Sequence, residues 1–191
     1  MNRKGNRTRK EPVRRKEDIE AIKRMLLPHP RNYALFVLGI NTGYRANELT
    51  ALKARDLRYL EPGDTLEIWQ SKTSKYRRVR INTQVYEAVK RLLMHDKPHD
   101  NEPLFRSRKF GGQLEVETVT RLVKKWCKSV GLQGNFGSHT LRKTWGYQQR
   151  KNNGVPLHIL MVAFGHSTQR ETLNYLCIEL DEVEELFMYE I

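Results

Sequence analysis

The chain contains the run Gly165-His166-Ser167-Thr168-Gln169-Arg170-Glu171-Thr172-Leu173-Asn174-Tyr175, in which a histidine follows a glycine and a tyrosine comes nine residues after the histidine. Three earlier runs carry basic side chains: Arg45 in residues 42–49, Lys72 in residues 71–73, and His139 with Arg142 in residues 139–142. Each run alone is a weak signal. Arginine and lysine bind phosphate oxygens, and histidine exchanges protons near neutral pH. Together the runs predict one site that acts on a phosphate ester.

The size and charge of the chain limit its fold and its partners. A chain of 191 residues, 38% of them hydrophobic, can bury one sizeable core, so we expect a single domain. Thirty-five Lys and Arg residues oppose 22 Asp and Glu residues, which leaves a formal charge of +13 at pH 7. Such an excess favours a polyanionic partner. Nucleic acid is the leading candidate, and an acidic membrane surface is the alternative.

Several classes of protein are disfavoured by what the sequence lacks. No apolar run approaches the roughly 20 residues of a membrane helix, and the N-terminus has no signal-like apolar stretch. We therefore expect a soluble, cytoplasmic protein without a membrane partner. Cys127 and Cys177 match neither a metal-ligand spacing nor a disulfide framework, and we expect both to be small core residues. Without an acidic cluster outside the C-terminal segment, the sequence predicts no metal and no cofactor.

The two ends of the chain carry opposite charge. Residues 1–15 are basic and nearly free of large apolar side chains, which predicts a flexible arm that either contacts DNA or is a solvated tail. Residues 179–191 are acidic, and their apolar side chains recur at helical spacing. This pattern predicts an amphipathic helix that binds a protein surface, and we expect that surface to belong to a neighbouring protomer.

Between the ends, most segments show the helical period. Helices are predicted over residues 17–27, 32–40, 84–94 and 116–130, with a short helix after Gly43, one capped by Ser138 and one that opens at Pro156. Alternation with period two predicts strands over residues 65–69 and 76–81, joined by a turn around residues 73–75. The predicted fold class is mainly α with a small antiparallel β-sheet, in one catalytic domain over residues 16–178.

The candidate residues suit attack on a DNA phosphodiester. This reaction needs a nucleophile, positive charge beside the non-bridging oxygens, and a proton for the leaving alkoxide. Arg45 and Arg142 can supply the charge without a metal, because a guanidinium stays protonated and its planar fork matches phosphate geometry. His139 and Arg142 are three residues apart, so on a helix they project from one face and can address one phosphate.

In this order and at these separations, the runs resemble the active site of the tyrosine recombinases, the phage integrase family, over about residues 16–178. The resemblance implies that Tyr175 is the nucleophile and forms a 3′-phosphotyrosyl link with the cleaved strand. It implies that His139 exchanges protons and contacts the phosphate. It also implies that His166 donates a hydrogen bond to a non-bridging oxygen.

The resemblance assigns further roles around the hairpin. Lys72 would protonate the leaving 5′ oxygen, with Lys75 as the alternative donor, and Glu48 would orient or neutralise the arginines. The residues expected to contact DNA are Lys75, Arg77 and Arg78 in the hairpin and Lys143 after Arg142. Three departures from the family pattern leave the proposed catalytic groups in place: Tyr44, Phe164 and Lys143.

The resemblance also implies partners, and it leaves alternatives open. Its implied partners are double-stranded DNA, three further copies of the chain in a tetramer on DNA, and accessory DNA-bending or directionality proteins. A nucleoid-associated location in the cytoplasm would follow. The chain could be an excised catalytic domain or a complete short recombinase. Two other functions remain: a type IB topoisomerase that relaxes supercoils, and a non-enzymatic DNA-binding regulator derived from an integrase.

Overall fold

A computed structural model describes residues 9–70, 75–109, 111–178 and 187–190 of the chain. In this part of the chain the elements are, in order, α1 Lys16–Leu26, α2 Pro30–Thr42, α3 Ala46–Ala51, α4 Ala54–Arg58, β1 Thr65–Gln70, β2 Lys75–Arg80, α5 Thr83–Asp96, α6 Val116–Ser129, α7 Ser138–Lys151, α8 Leu157–Phe164 and α9 Gln169–Leu176. The two strands pair antiparallel, from Thr65 opposite Arg80 to Gln70 opposite Lys75. The predicted fold class, mainly helical with a small antiparallel sheet, is confirmed.

Helix α2 lies at the centre of the core. Its residues 34–38 are completely or almost completely buried, because an apolar run on every side of a helix must be covered by its neighbours. Helices α5 and α7 pack against it. At Gly39 an added Cβ would lie 2.7 Å from Cδ1 of Leu141, so only glycine allows α2 and α7 to approach this closely.

Gly43 ends α2 in the left-handed conformation, with φ of 60°. An added Cβ there would lie 2.5 Å from the indole of Trp145. Both the backbone conformation and the lack of space therefore require glycine. The turn brings the Gly43 carbonyl under α7 and starts α3 directly after Arg45.

A second, smaller cluster of buried side chains joins α7, α8 and α9: Leu160, Phe164, Leu176 and Ile178. Gly146 of α7 faces this cluster, and an added Cβ would lie 2.4 Å from Phe164 and 2.8 Å from Leu176. The cluster fixes α9, which carries Tyr175, against α7, which carries His139 and Arg142.

Two local expectations differ from the structure. Ser138 is the first residue of α7 and does not cap it; Gly137 precedes the helix, and Thr140 Oγ1 accepts a hydrogen bond from its backbone N–H at 3.0 Å. Cys127 is buried as expected, whereas Cys177 is only half-buried and adopts a φ of 63° after α9.

The predicted arm also ends earlier than expected. Val13 is 1% exposed, and its N–H donates to Thr144 Oγ1 at 2.9 Å. Lys10 Nζ donates to Asn135 Oδ1 at 2.7 Å. Val13 supplies the large apolar side chain that fixes this segment, so residues 10–15 belong to the domain. Residues 1–8, most of the predicted C-terminal helix, and the hairpin turn at residues 71–74 with Lys72 lie outside the described residues.

Candidate active site

Arg45 lies at the start of α3 and is held by Glu48 one turn later. One carboxylate oxygen of Glu48 accepts the Arg45 backbone N–H at 2.6 Å, and the other accepts an N–H of its guanidinium at 3.1 Å. The Glu48 side chain is 8% exposed, whereas that of Arg45 is 41% exposed. A buried carboxylate thus orients a guanidinium that remains open to a ligand.

Arg142 is buried in α7 and bound to two backbone carbonyls. Its guanidinium donates to the carbonyl oxygens of Gly43 and Phe164, the latter at 2.8 Å, and lies 4.7 Å from the centre of the Phe164 ring. Burial lowers the pKa of Arg142 to about 10, so the group stays charged at neutral pH. A guanidinium carries five N–H donors, and two carbonyl contacts leave donors for a phosphate.

Tyr175 on α9 meets His139 at the start of α7. The Tyr175 hydroxyl lies 3.4 Å from His139 Nδ1. Burial raises the pKa of Tyr175, an effect that Arg142 and Arg45 oppose. Burial and the nearby cations Lys143 and Arg142 lower the pKa of His139. The phenol is therefore protonated and the imidazole neutral at pH 7, which is the starting state for proton transfer from tyrosine to histidine.

His166 lies on the other side of the Tyr175 ring, with 5.1 Å between ring centres. Its Nδ1 is 3.0 Å from Thr172 Oγ1, and its ring stacks on Phe164. Burial lowers the pKa of His166. Because Nδ1 is engaged with Thr172, Nε2 is the nitrogen available to a substrate oxygen.

Phe164 contacts four groups of the site, which its position in the sequence did not reveal. Its carbonyl binds Arg142, and its ring contacts Arg142, His166, Tyr175 and Trp145. The sequence showed only that an aromatic residue directly precedes Gly165-His166. The larger ring fills the space between the tyrosine and the buried arginine.

Two of the four residues expected to contact DNA do not lie at the surface. The Arg77 side chain is 12% exposed, and it binds Glu48 and two backbone carbonyls. Lys143 is 4% exposed; its Nζ lies 3.6 Å from Cys177 Sγ and 4.6 Å from the centre of the Tyr175 ring. The structure corrects both expectations, because internal acceptors and ring faces take up these cations. Arg78 is exposed and pairs with Glu67 at 2.7 Å.

The site borders a cleft of about 930 Å³. Arg45, Glu48 and His139 line it on one side, and Trp69 of the hairpin lines it on the other. Within the described residues, no group of three or more His, Cys, Asp or Glu side chains could hold a metal ion. None of the helices in this part of the chain has the length and apolar character needed to cross a bilayer.

A family model described as "Phage integrase family" matches residues 3–180. The chain belongs to the phage integrase family. The probable integrase/recombinase YoeC of Bacillus subtilis (strain 168) is 30% identical over 178 residues, which cover 90% of this chain and 91% of YoeC. The chain spans about half of some longer family members, such as 43% of the tyrosine recombinase XerC of Caldanaerobacter subterraneus and 53% of that of Thermodesulfovibrio yellowstonii.

Solved structures share the fold of this phage integrase family member. The crystal structure of XerA recombinase matches with a TM-score of 0.74 at 21% identity, over 97% of this chain and 66% of that one. The pre-cleavage complex of XerH site-specific recombinase with its difH substrate matches with a TM-score of 0.66 at 25% identity, over 87% of this chain and 51% of that one. The homologues and structural neighbours are tyrosine site-specific recombinases. These matches give no support to the topoisomerase alternative.

Proposed function

We propose that this phage integrase family member is a site-specific recombinase that cleaves and rejoins double-stranded DNA through a covalent link to Tyr175. The observation that carries the proposal is the meeting of the Tyr175 hydroxyl with His139 Nδ1, 3.4 Å apart, beside the buried cation Arg142. A phenol, a neutral base and a fixed guanidinium are the parts that phosphoryl transfer to tyrosine needs in the absence of a metal.

The reaction begins when the Tyr175 oxygen attacks the scissile phosphorus. His139 accepts the phenolic proton, and Arg45 and Arg142 neutralise the charge that builds on the non-bridging oxygens. His166 donates to one of these oxygens. The bond from phosphorus to the 5′ oxygen then breaks, and Lys72 gives that oxygen its proton. The product is a 3′-phosphotyrosyl link and a free 5′ hydroxyl.

Rejoining is the same reaction in reverse. A 5′ hydroxyl attacks the phosphotyrosine, the conjugate base of Lys72 takes its proton, and protonated His139 returns a proton to the tyrosine oxygen. The phosphotyrosyl link conserves the energy of the broken DNA bond, so no nucleotide cofactor is needed.

Assembly on DNA would use the acidic C-terminal segment and helix α8. Ile159 and Val162 of α8 are 50% and 73% exposed, an apolar surface next to the cluster that holds α9. We propose that the C-terminal segment of one protomer packs on α8 and the surrounding basic surface of the next, within a tetramer on DNA. Accessory DNA-bending or directionality proteins and a nucleoid location remain predictions from the family resemblance.

A covalent trap tests the proposal. A pool of nicked duplexes with randomised arms supplies a substrate whatever the target site is, because cleavage near the nick releases a short fragment and strands the adduct. Wild-type protein should retain DNA strands on Tyr175 after denaturation, and Tyr175→Phe should bind the duplex without trapping it. Tyr147→Phe, on the neighbouring helix, is the matched control and should trap normally. Adducts that persist in Tyr175→Phe would show that another residue is the nucleophile.

The trapped strands also separate recombination from the two alternatives. Sequencing them gives the preferred site, which is then placed twice on one supercoiled plasmid. A recombinase should exchange the two sites, whereas a topoisomerase would relax plasmid that lacks the site equally fast. A regulator without enzyme activity would bind DNA and give no adduct.

A further inference from the structure

We infer that Arg77 is a positioning residue of the cleavage reaction: its buried guanidinium bridges Glu48 and the Gly43 carbonyl and thereby holds Arg45 and Arg142 in fixed relation to each other. The inference rests on the proposed function, and it assigns Arg77 no contact with DNA.

Arg77 is tied to both catalytic arginines through shared acceptors. It pairs with Glu48 Oε2 at 3.3 Å, while Glu48 Oε1 holds Arg45 at 3.1 Å. Its other terminal nitrogen donates to the Gly43 carbonyl at 3.0 Å, the same oxygen to which Arg142 donates. One carboxylate and one carbonyl thus connect three guanidiniums.

The surroundings of Arg77 fix its guanidinium in one plane. A further hydrogen bond runs to the Thr42 carbonyl at 3.3 Å, and the guanidinium lies 5.0 Å from the centre of the Tyr44 ring. Tyr44 is 1% exposed and its hydroxyl donates to the Leu66 carbonyl at 3.3 Å, which ties the ring to strand β1. The tyrosine that departs from the family pattern before Arg45 therefore supports Arg77 with its ring face.

A planar fork is needed for this arrangement. Arginine donates in several directions within one plane, whereas a lysine ammonium is a compact point charge on a flexible stem. Lysine at position 77 could pair with Glu48 but could not also reach the Gly43 and Thr42 carbonyls in the same geometry. If bridging is the function, a retained charge without the fork cannot replace Arg77.

The charge of Arg77 contributes as well. Together with Arg45 and Arg142 it lowers the pKa of Tyr175 against the effect of burial. It also lowers the pKa of Arg142, because like charges lie close together. Glu48 offsets part of this repulsion, and a phosphate in the site would offset more.

The test measures single-turnover adduct formation at saturating DNA, with Arg31→Gln as the matched control. Arg31 is also a buried arginine bound to a backbone carbonyl, that of Arg106 at 2.7 Å, but it lies outside the site. Arg77→Gln should slow adduct formation by about 10²-fold, the scale of a misplacement of about 1 Å, with DNA affinity unchanged. Arg31→Gln should destabilise the fold to a similar degree and leave the rate of the folded protein unchanged.

A methylphosphonate at the scissile position separates a positioning role from a merely structural one. Replacing one non-bridging oxygen with methyl removes the charge that the arginines neutralise. The defect of Arg77→Gln should therefore shrink to less than about tenfold on this substrate, as should the defect of Arg45→Ala. A defect of equal size on both substrates would overturn the inference.

Arg77→Lys tests the bridge without removing the charge, and it serves if Arg77→Gln does not fold. Its rate should stay at least about tenfold below wild type. Recovery of the full rate would overturn the bridging role, because a point charge would then suffice. No adduct in wild-type protein would overturn the proposed function and this inference together. A wild-type adduct at Tyr175 that forms equally fast in Arg77→Gln would overturn the inference alone.

Discussion

His139 Nδ1 lies 3.4 Å from the Tyr175 hydroxyl, and the two groups have their pKa values shifted in opposite directions. Burial favours the neutral form of each. The cations around them, chiefly Lys143 and Arg142 for His139 and Arg142 for Tyr175, oppose protonation of the imidazole and favour ionisation of the phenol. The pair is thus set for transfer of a proton from oxygen to nitrogen when the oxygen attacks phosphorus.

Cleavage should depend on pH through His139. Because its pKa is lowered from 6.5, adduct formation should stay constant down to pH 6.5 and decline only at lower pH, as the imidazole gains a proton. His139→Gln should lower the rate by about 10² to 10⁴ and remove this decline. His166→Gln is the control, since its loss should slow the reaction and keep the decline. A wild-type rate that falls at and above pH 6.5 would contradict the shifted value.

Stability should follow pH in the same direction. His139 and His166 both have lowered pKa values in the folded protein, so below pH 6.5 the unfolded chain binds more protons. The stabilisation is therefore present above pH 6.5 and lost as pH falls through the folded pKa values. Denaturant unfolding between pH 7 and pH 5 measures this loss, which should be smaller in His139→Gln. An equal loss in that variant would assign the effect to other groups.

Cleavage should survive excess chelator. Arg45 and Arg142 supply the positive charge that a metal ion supplies in other nucleases, and arginine does not depend on free metal. Single-turnover adduct formation in EDTA should match that in magnesium. Loss of adduct in EDTA that magnesium restores would exclude an arginine-based mechanism.

The general acid can be assigned with a sulfur-substituted substrate. If Lys72 protonates the leaving 5′ oxygen, Lys72→Ala should fail on normal DNA and recover when sulfur replaces that oxygen, because a thiolate leaves without a proton. Arg142→Ala should not recover, since Arg142 acts on the non-bridging oxygens. Recovery in Lys75→Ala, with none in Lys72→Ala, would assign the proton to Lys75.

Two truncations should separate the basic arm from the folded N-terminal segment. Removing residues 1–8 should flatten the dependence of log K on log salt by about 0.9 per lost phosphate contact and leave stability unchanged. Removing residues 1–14 should also destabilise the fold, because Val13 is buried and Arg14 donates to the Cys177 carbonyl at 2.9 Å. A salt slope that does not change in the shorter truncation would make the arm a solvated tail.

The assembly contact predicts a selective defect. Truncation after Ile178 and the substitution Val162→Asp should each weaken tetramer formation on DNA, because each removes one side of an apolar contact. Cleavage at a single site should continue. Met94→Asp, at an equally exposed apolar residue of α5, is the control and should assemble normally. Native electrophoresis of protein–DNA complexes measures the outcome, and normal assembly in both test variants would contradict contact between protomers.

Helical spacing and motif order were enough to predict the helices and to bring His139 and Arg142 to one face of α7. They could not predict which way Arg77 points. Its neighbours Tyr76 and Arg78 are polar or amphipathic and both lie at the surface, so the strand offered no apolar alternation to mark an inner face. The inner acceptors, Glu48 and the Gly43 carbonyl, come from a segment about 30 residues away. Contacts that depend on tertiary neighbours have no local signature.

Lys143 and the N-terminal segment differ from expectation for the same reason. Lysine is ordinarily exposed, and only the Tyr175 ring and Cys177 beside it make burial acceptable. Charge along residues 1–15 suggested a free arm, and the single apolar Val13 outweighs that charge because a pocket on α7 accepts it.

Three guanidiniums grouped near the carboxylate of Glu48 have a consequence for the lifetime of the protein in the cell. Like charges held together in a folded structure repel one another until an anion arrives. DNA binding therefore shifts the folding equilibrium toward the native state, and unbound protein unfolds more often. Proteases degrade unfolded chains preferentially. We expect copies on DNA to persist and unbound copies to be cleared, which would limit the amount of free DNA-cutting enzyme.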